Sequence, residues 1–96
     1  MTRHPRHPLA GLLLASLVIA GCADQPTRVQ TAAALDAVIG DAARPEGDRA
    51  RDAWRHPHQT LLFFGLRTDL AVAEIAPGGN GWYTQILAPL LREHGR

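Results

Sequence analysis

The stretch that decides the fold runs from Leu70 to Leu91 and reads LAVAEIAPGGNGWYTQILAPLL. Its apolar run, Leu70 to Ala76, predicts a strand that is buried on both faces, as in a parallel sheet. Pro77 ends the run, and the glycines that follow predict a tight turn. From Trp82 to Leu91 apolar residues recur at helical spacing, and Pro89 should kink this helix or end it early. Strand, turn and helix in this order indicate the front of an α/β domain.

The glycine-rich turn is the candidate binding site of the chain. Glycine lets the backbone approach a ligand closely, and the start of the following helix offers unpaired N–H groups to a polar or anionic ligand. Glu74 is a lone acid in an apolar run, and an unpaired buried carboxylate is costly, which favours a site over packing alone. The residues predicted to bind a ligand are Glu74, Gly78, Gly79, Asn80 and Gly81. The alternative is that the turn is only a tight corner.

Residues 1–21 have the layout of a signal peptide. Arg3 and Arg6 precede an apolar stretch of roughly a dozen residues, which is shorter than the ~20 that a membrane-spanning helix needs. The segment from Ile19 to Cys22 resembles the lipobox of bacterial lipoproteins, which implies a lipid on Cys22 and attachment to a membrane that faces the periplasm. Ala23 after the cysteine indicates the outer membrane. The alternative is ordinary cleavage that leaves Cys22 as a free thiol.

Length and charge restrict the function further. A chain of 96 residues has room for one small domain. Removal of Arg3 and Arg6 with the signal peptide leaves eight arginines against nine acids, so no positive field would attract nucleic acid. His56 and His58 are close in sequence, but no acid or cysteine completes a metal-binding spacing. We therefore expect neither a nucleic-acid partner nor a metal site.

Between the tether, residues 22–30, and the apolar run, the sequence predicts a helical segment over residues 31–66. The first helix should run from near Thr31 to about Ala43. Asp48 should cap a second helix that ends near Arg55 and is anchored by Trp54. A third should begin at His56-Pro57 and stop at a left-handed Gly65, with Leu66 folded back onto it. Four arginines are predicted to form a solvated face with the acids between them: Arg44, Arg49, Arg51 and Arg55.

Two strings carry a family resemblance, Arg55-His-Pro57 and Pro77-Gly-Gly-Asn-Gly-Trp-Tyr-Thr84. With the residues around them, from roughly Leu35 to Leu91, they resemble the N-terminal part of exported bacterial predicted methyltransferases. These belong to the class I superfamily that depends on S-adenosylmethionine. The resemblance implies an α/β chain, the N-terminal fragment of a Rossmann-like methyltransferase fold. Residues 67–96 would be its first, incomplete strand-turn-helix unit.

The same resemblance implies a cofactor, a reaction and a site. Glu74 to Asn80 would be the first cofactor motif, usually an acid followed by three alternating glycines. Gly78 matches the middle glycine, whereas Ala76 and Asn80 occupy the outer positions. The implied reaction transfers a methyl group from S-adenosylmethionine to an unknown acceptor, and the catalytic residues are not identifiable. Trp82 and Tyr83 would line the pocket or pack at the start of the helix.

The later strands of such a fold would supply the ribose, adenine and acceptor sites. No residues for them follow the first motif, so we expect the chain to be truncated after that motif and inactive by itself. The alternative function is a small non-enzymatic lipoprotein, or a remnant, with a binding or structural role.

Overall fold

The computed structural model describes residues 24–96, so the expected signal peptide and the lipidation site at Cys22 lie outside the described residues. The described chain folds into short helices joined by turns. None of these helices has both the length and the hydropathy that crossing a membrane requires. The helices are α1 (Arg28–Ile39), α2 (Glu46–Ala50), α3 (Asp52–Arg55), α4 (Pro57–Phe63) and α5 (Thr84–Leu91).

The prediction of an α/β, Rossmann-like fold is wrong, because residues 24–96 are helical and contain no strand. The apolar run from Leu70 to Ala76 is irregular in structure. An apolar run becomes a strand only when its backbone groups find a partner along a ladder. Among residues 24–96 only Arg96 forms ladder-like bonds with the run: Arg96 N–H donates to Leu70 O over 3.1 Å, and Val72 N–H donates to Arg96 O over 2.7 Å. These two bonds flank Ala71 as in a parallel pair, but one pair does not make a strand.

The hydrophobic core lies where α1 packs against α4 and α5. Leu35 of α1 and Ile86 of α5 are fully buried at its centre. Around them lie four further buried apolar residues, Leu62, Leu66, Trp82 and Leu90. The core therefore joins the helical segment to the helix that follows the glycine turn.

The first helix is shifted toward the N-terminus relative to its predicted bounds. It begins after Thr27, whose side chain accepts the Gln30 N–H, while the Gln30 side chain accepts the Thr27 N–H. This reciprocal pair is a capping box, which fixes a helix start. Gly40 forms the C-cap, so the helix ends before the predicted Ala43.

The helix that begins at Pro57 is confirmed at both ends. Pro57 is its first residue, and Gly65 has the left-handed φ of +77°. Gly65 N–H donates to Leu62 O and Leu66 N–H to Leu61 O, which is the double hydrogen bond of a Schellman ending. Leu66 is buried against the core, as its position in that ending requires.

Two other helix predictions need correction. The helix expected from Asp48 to Arg55 is divided into α2 and α3, with Pro45 and not Asp48 as the first N-cap. Trp54 is 83% exposed, so it does not anchor this segment. The early end that was one of the two effects predicted for Pro89 does not occur, because α5 continues through the buried Leu90 and Leu91.

Substituting Gly95 by Ala should detach the C-terminal residues from the apolar run. A Cβ atom at this position would lie 2.5 Å from Leu70 O and 2.8 Å from Leu91 Cδ2. Because one of these contacts is backbone, we expect a loss of about 1–3 kcal/mol in the free energy of unfolding by urea. The control is Gly47→Ala, where an added Cβ would meet nothing within 4 Å. Equal stability of the two variants would show that Gly95 is not held against Leu70.

Candidate functional site: a glycine turn beside two arginines

The glycine turn adopts a conformation that its glycines make possible. Gly78 has φ of +79° and Gly81 has φ of +55°, both in the left-handed region. Gly81 N–H donates to Gly78 O over 3.3 Å, which closes the turn. Ala76, just before it, has φ of +55° without being glycine, a conformation that costs about 1 kcal/mol or more. The backbone is thus bent at both ends of the turn.

The middle of the turn is open to solvent. Residues 76–80 are exposed, and a Cβ atom added to Gly78 or Gly79 would meet nothing within 4 Å. Within residues 24–96 the N–H groups of Gly78, Gly79 and Asn80 have no acceptor. They are therefore free to donate to a ligand that lies against the turn.

Asp48 of α2 holds the turn in place through two neighbours. Its carbonyl oxygen accepts the indole N–H of Trp82, which is 3% exposed, over 2.9 Å. Its carboxylate accepts the Gln85 side-chain amide over 2.9 Å, and that amide also donates to Asn80 O over 3.0 Å. Sequence reasoning assigned Asp48 a capping role and missed this one, since nothing in the sequence pairs residues so far apart.

The arginines that precede the turn have two different environments. Arg44 is buried, so the prediction of a solvated face is wrong for this residue. Its guanidinium donates twice to the Asp52 carboxylate, over 2.7 and 2.9 Å, and once to Ile39 O. Arg55 is exposed, and its guanidinium carbon lies 4.7 Å from the centre of the Trp82 ring. Both cations thus lie close to the ring of Trp82, two residues before α5.

The structure separates the five predicted site residues into two groups. Gly78, Gly79, Asn80 and Gly81 line one hollow of about 320 Å³, together with Pro77, Trp82, Arg51 and Arg55. Glu74 is half-buried, its carboxylate accepts the Thr84 hydroxyl, and it lines another hollow of about 430 Å³ beside α5. Glu74 therefore lines a different hollow from the turn, whereas Arg51 and Arg55, which sequence reasoning did not select as site residues, line the hollow of the turn.

Neither histidine of the central segment belongs to this hollow. His58 Nε2 lies 3.4 Å from the Asp36 carboxylate on α1, so this side chain links α4 to α1. His56 is exposed and has a left-handed φ of +44°, which allows α3 to end and Pro57 to begin α4. In the part of the chain that the structure describes, no group of three potential metal ligands comes together.

Comparison with known proteins leaves the resemblance to methyltransferases as a hypothesis. No family model, curated protein or solved structure matches this chain.

Replacing Trp82 by Phe should weaken the connection between the turn and α2. The variant keeps an aromatic ring in the core but removes the indole bond to the Asp48 carbonyl, which keeps the Arg51 N–H as a donor, so the loss should be about 0.5–1.5 kcal/mol. Trp54→Phe is the matched control, since the Trp54 side chain is exposed, and its stability should be unchanged. Thermal unfolding followed by circular dichroism measures both. Equal midpoints would contradict the role assigned to the Trp82 indole.

Proposed function

We propose that this chain is a methyltransferase-like protein and that its glycine turn binds S-adenosylmethionine. The observation that carries the proposal is the open backbone of the turn. The N–H groups of Gly78, Gly79 and Asn80 have no acceptor among residues 24–96, and they border a hollow of about 320 Å³. Core packing alone does not require free amides at the turn. The polar end of a small ligand does require them, because it accepts their hydrogen bonds.

The residues that line the hollow fit one part of S-adenosylmethionine. Ligand pockets commonly have volumes of roughly 300–1,000 Å³, so the hollow is large enough for a portion of the cofactor. Gly78 and Gly79 present backbone without side-chain bulk, and Asn80 supplies a further amide. The cofactor would supply an activated methyl group, and the part of these residues would be to bind and orient it.

Glu74 contributes to this proposal by positioning the backbone. Its carboxylate accepts the Thr84 hydroxyl and so joins the segment before the turn to the first residue of α5. The acid and the helix thereby hold the two ends of the turn at a set separation. A fixed turn loses less conformational entropy when a ligand binds.

A second candidate function is that of a small non-enzymatic lipoprotein that binds a partner. Phe63, Phe64 and Ile75 favour it, with exposed fractions of 80%, 76% and 91%. The Phe63 and Phe64 rings lie 5.4 Å apart, Phe64 and Ile75 line the same hollow, and large apolar side chains grouped at a surface often mark interaction sites. This function needs no small ligand at the glycine turn.

Calorimetric titration of the full chain with S-adenosylmethionine separates the two functions. We expect saturable binding that Gly79→Leu weakens at least tenfold, because the new side chain would fill the hollow. Gly47→Leu is the matched control, since that glycine also has open space around it but lies outside the hollow. If no heat is detected at ~1 mM ligand, where even a weak site is half-occupied, the cofactor proposal is wrong.

A further inference from the structure

Two arginines line the same hollow as the glycine turn. Arg51 forms the junction between α2 and α3, and Arg55 is the last residue of α3. Both line the hollow together with residues 77–82. The turn and the arginines come from separate parts of the chain, and the contacts of Asp48 and Trp82 bring them together.

The charges of these arginines are incompletely neutralised by the protein. Asp52, the nearest acid in sequence, is engaged in two short bonds to Arg44. Asp48 is buried and accepts the Gln85 amide, and its carboxylate lies 3.6 Å from the Arg51 guanidinium, longer than a hydrogen bond. Within residues 24–96 Arg55 has no acidic partner and lies over the Trp82 ring. One wall of the hollow is therefore cationic.

The turn lines the same hollow and offers hydrogen-bond donors without charge. The free N–H groups of Gly78, Gly79 and Asn80 lie on the turn that closes the hollow. Guanidinium groups and backbone amides share a preference for carboxylate and phosphate oxygens. A neutral acceptor would gain only the hydrogen bonds, whereas a small anionic group would gain charge-assisted bonds to the guanidinium groups as well.

We infer that Arg55 and Arg51, with the amides of the glycine turn, form a subsite for a carboxylate group of the ligand. This inference rests on the proposed function, in which the carboxylate is that of the methionine end of the cofactor. The guanidinium groups then set the direction in which the ligand lies, with its carboxylate toward α3.

Two ligands that differ in the amino-acid end test this inference. S-adenosylhomocysteine carries the carboxylate, and 5′-methylthioadenosine lacks the whole amino-acid end. The full chain with Trp54→Phe is used, because Trp82 is then its single tryptophan and lies beside Arg55. Quenching of Trp82 fluorescence is followed for this protein and for Arg55→Met, Arg51→Met and the control Arg28→Met, which removes a charge from the exposed start of α1.

We expect S-adenosylhomocysteine to bind at least tenfold more tightly than 5′-methylthioadenosine. Arg55→Met should remove this preference, Arg51→Met should reduce it, and Arg28→Met should keep it. Thermal unfolding identifies any variant that does not fold. If one of the two arginine variants does not fold, the ligand preference of the other decides the test. Equal binding of both ligands, unchanged in Arg55→Met, would overturn the subsite and leave the cofactor proposal intact.

If neither adenosyl compound binds, the cofactor proposal fails, and the same proteins are titrated with sodium pyrophosphate. A Trp82 response that Arg55→Met abolishes would then support an anion subsite that serves another ligand. No response to pyrophosphate would overturn the subsite as well.

Discussion

Replacing Asp52 by Ala is expected to cost about 3 kcal/mol or more in the free energy of unfolding. The variant leaves the Arg44 guanidinium buried, with a side chain that is 4% exposed, and removes both of its carboxylate bonds. A domain of this size has a total stability near the low end of roughly 5–15 kcal/mol. Urea unfolding followed by circular dichroism should therefore show most of the stability lost.

The reverse substitution, Arg44→Met, should cost clearly less. Asp52 is more exposed than Arg44, so its carboxylate regains water when the arginine is removed. The Met side chain also fills part of the volume that the arginine stem occupied. An Arg44→Met variant that is less stable than Asp52→Ala would contradict this account of the pair.

Replacing Leu35 by Ala is expected to be among the most damaging changes in the apolar core. Leu35 of α1 is fully buried where α1 packs against α4 and α5. Shortening such a Leu to Ala typically costs about 2–5 kcal/mol. The same core holds α5, the helix that follows the glycine turn. Ligand binding should therefore be lost together with the fold. The free energy of unfolding in urea measures the effect.

Val29→Ala on the same helix is the matched control, because Val29 is 78% exposed. It should change the stability by less than about 0.5 kcal/mol. Equal losses in the two variants would mean that α1 is not packed with Leu35 inward, which would exclude the core described above.

The elements that sequence reasoning predicted best are those determined by neighbouring residues. Pro57 and Gly65 act through their own backbone geometry, so both ends of α4 were predictable. The expected strand failed because a strand depends on partners far along the chain, and in the part of the chain that the structure describes only Arg96 forms ladder-like bonds with the apolar run. Arg44 was misplaced for a similar reason, since its burial depends on a distant packing arrangement that charge pattern does not reveal.

In the candidate site, too, the features set by neighbouring residues were predictable and those that depend on distant contacts were not. The bend at Gly78 and Gly81 follows from local composition, and the structure gives both residues the left-handed backbone that glycine accommodates. The arginines that face the turn could not be predicted, because Asp48 brings them there through Trp82 and Gln85. Glu74 was selected as a lone acid in an apolar run, yet its partner is the hydroxyl of Thr84, the first residue of α5.

The most direct test of the central claim is an NMR titration of the ¹⁵N-labelled full chain with S-adenosylhomocysteine. The account predicts that the amide resonances of Gly78, Gly79 and Asn80 shift in a saturable manner, whereas those of Gly40, Gly47 and Gly65 stay in place. Shifts confined to other residues, or none at ~1 mM ligand, would contradict binding of an adenosyl compound at the glycine turn.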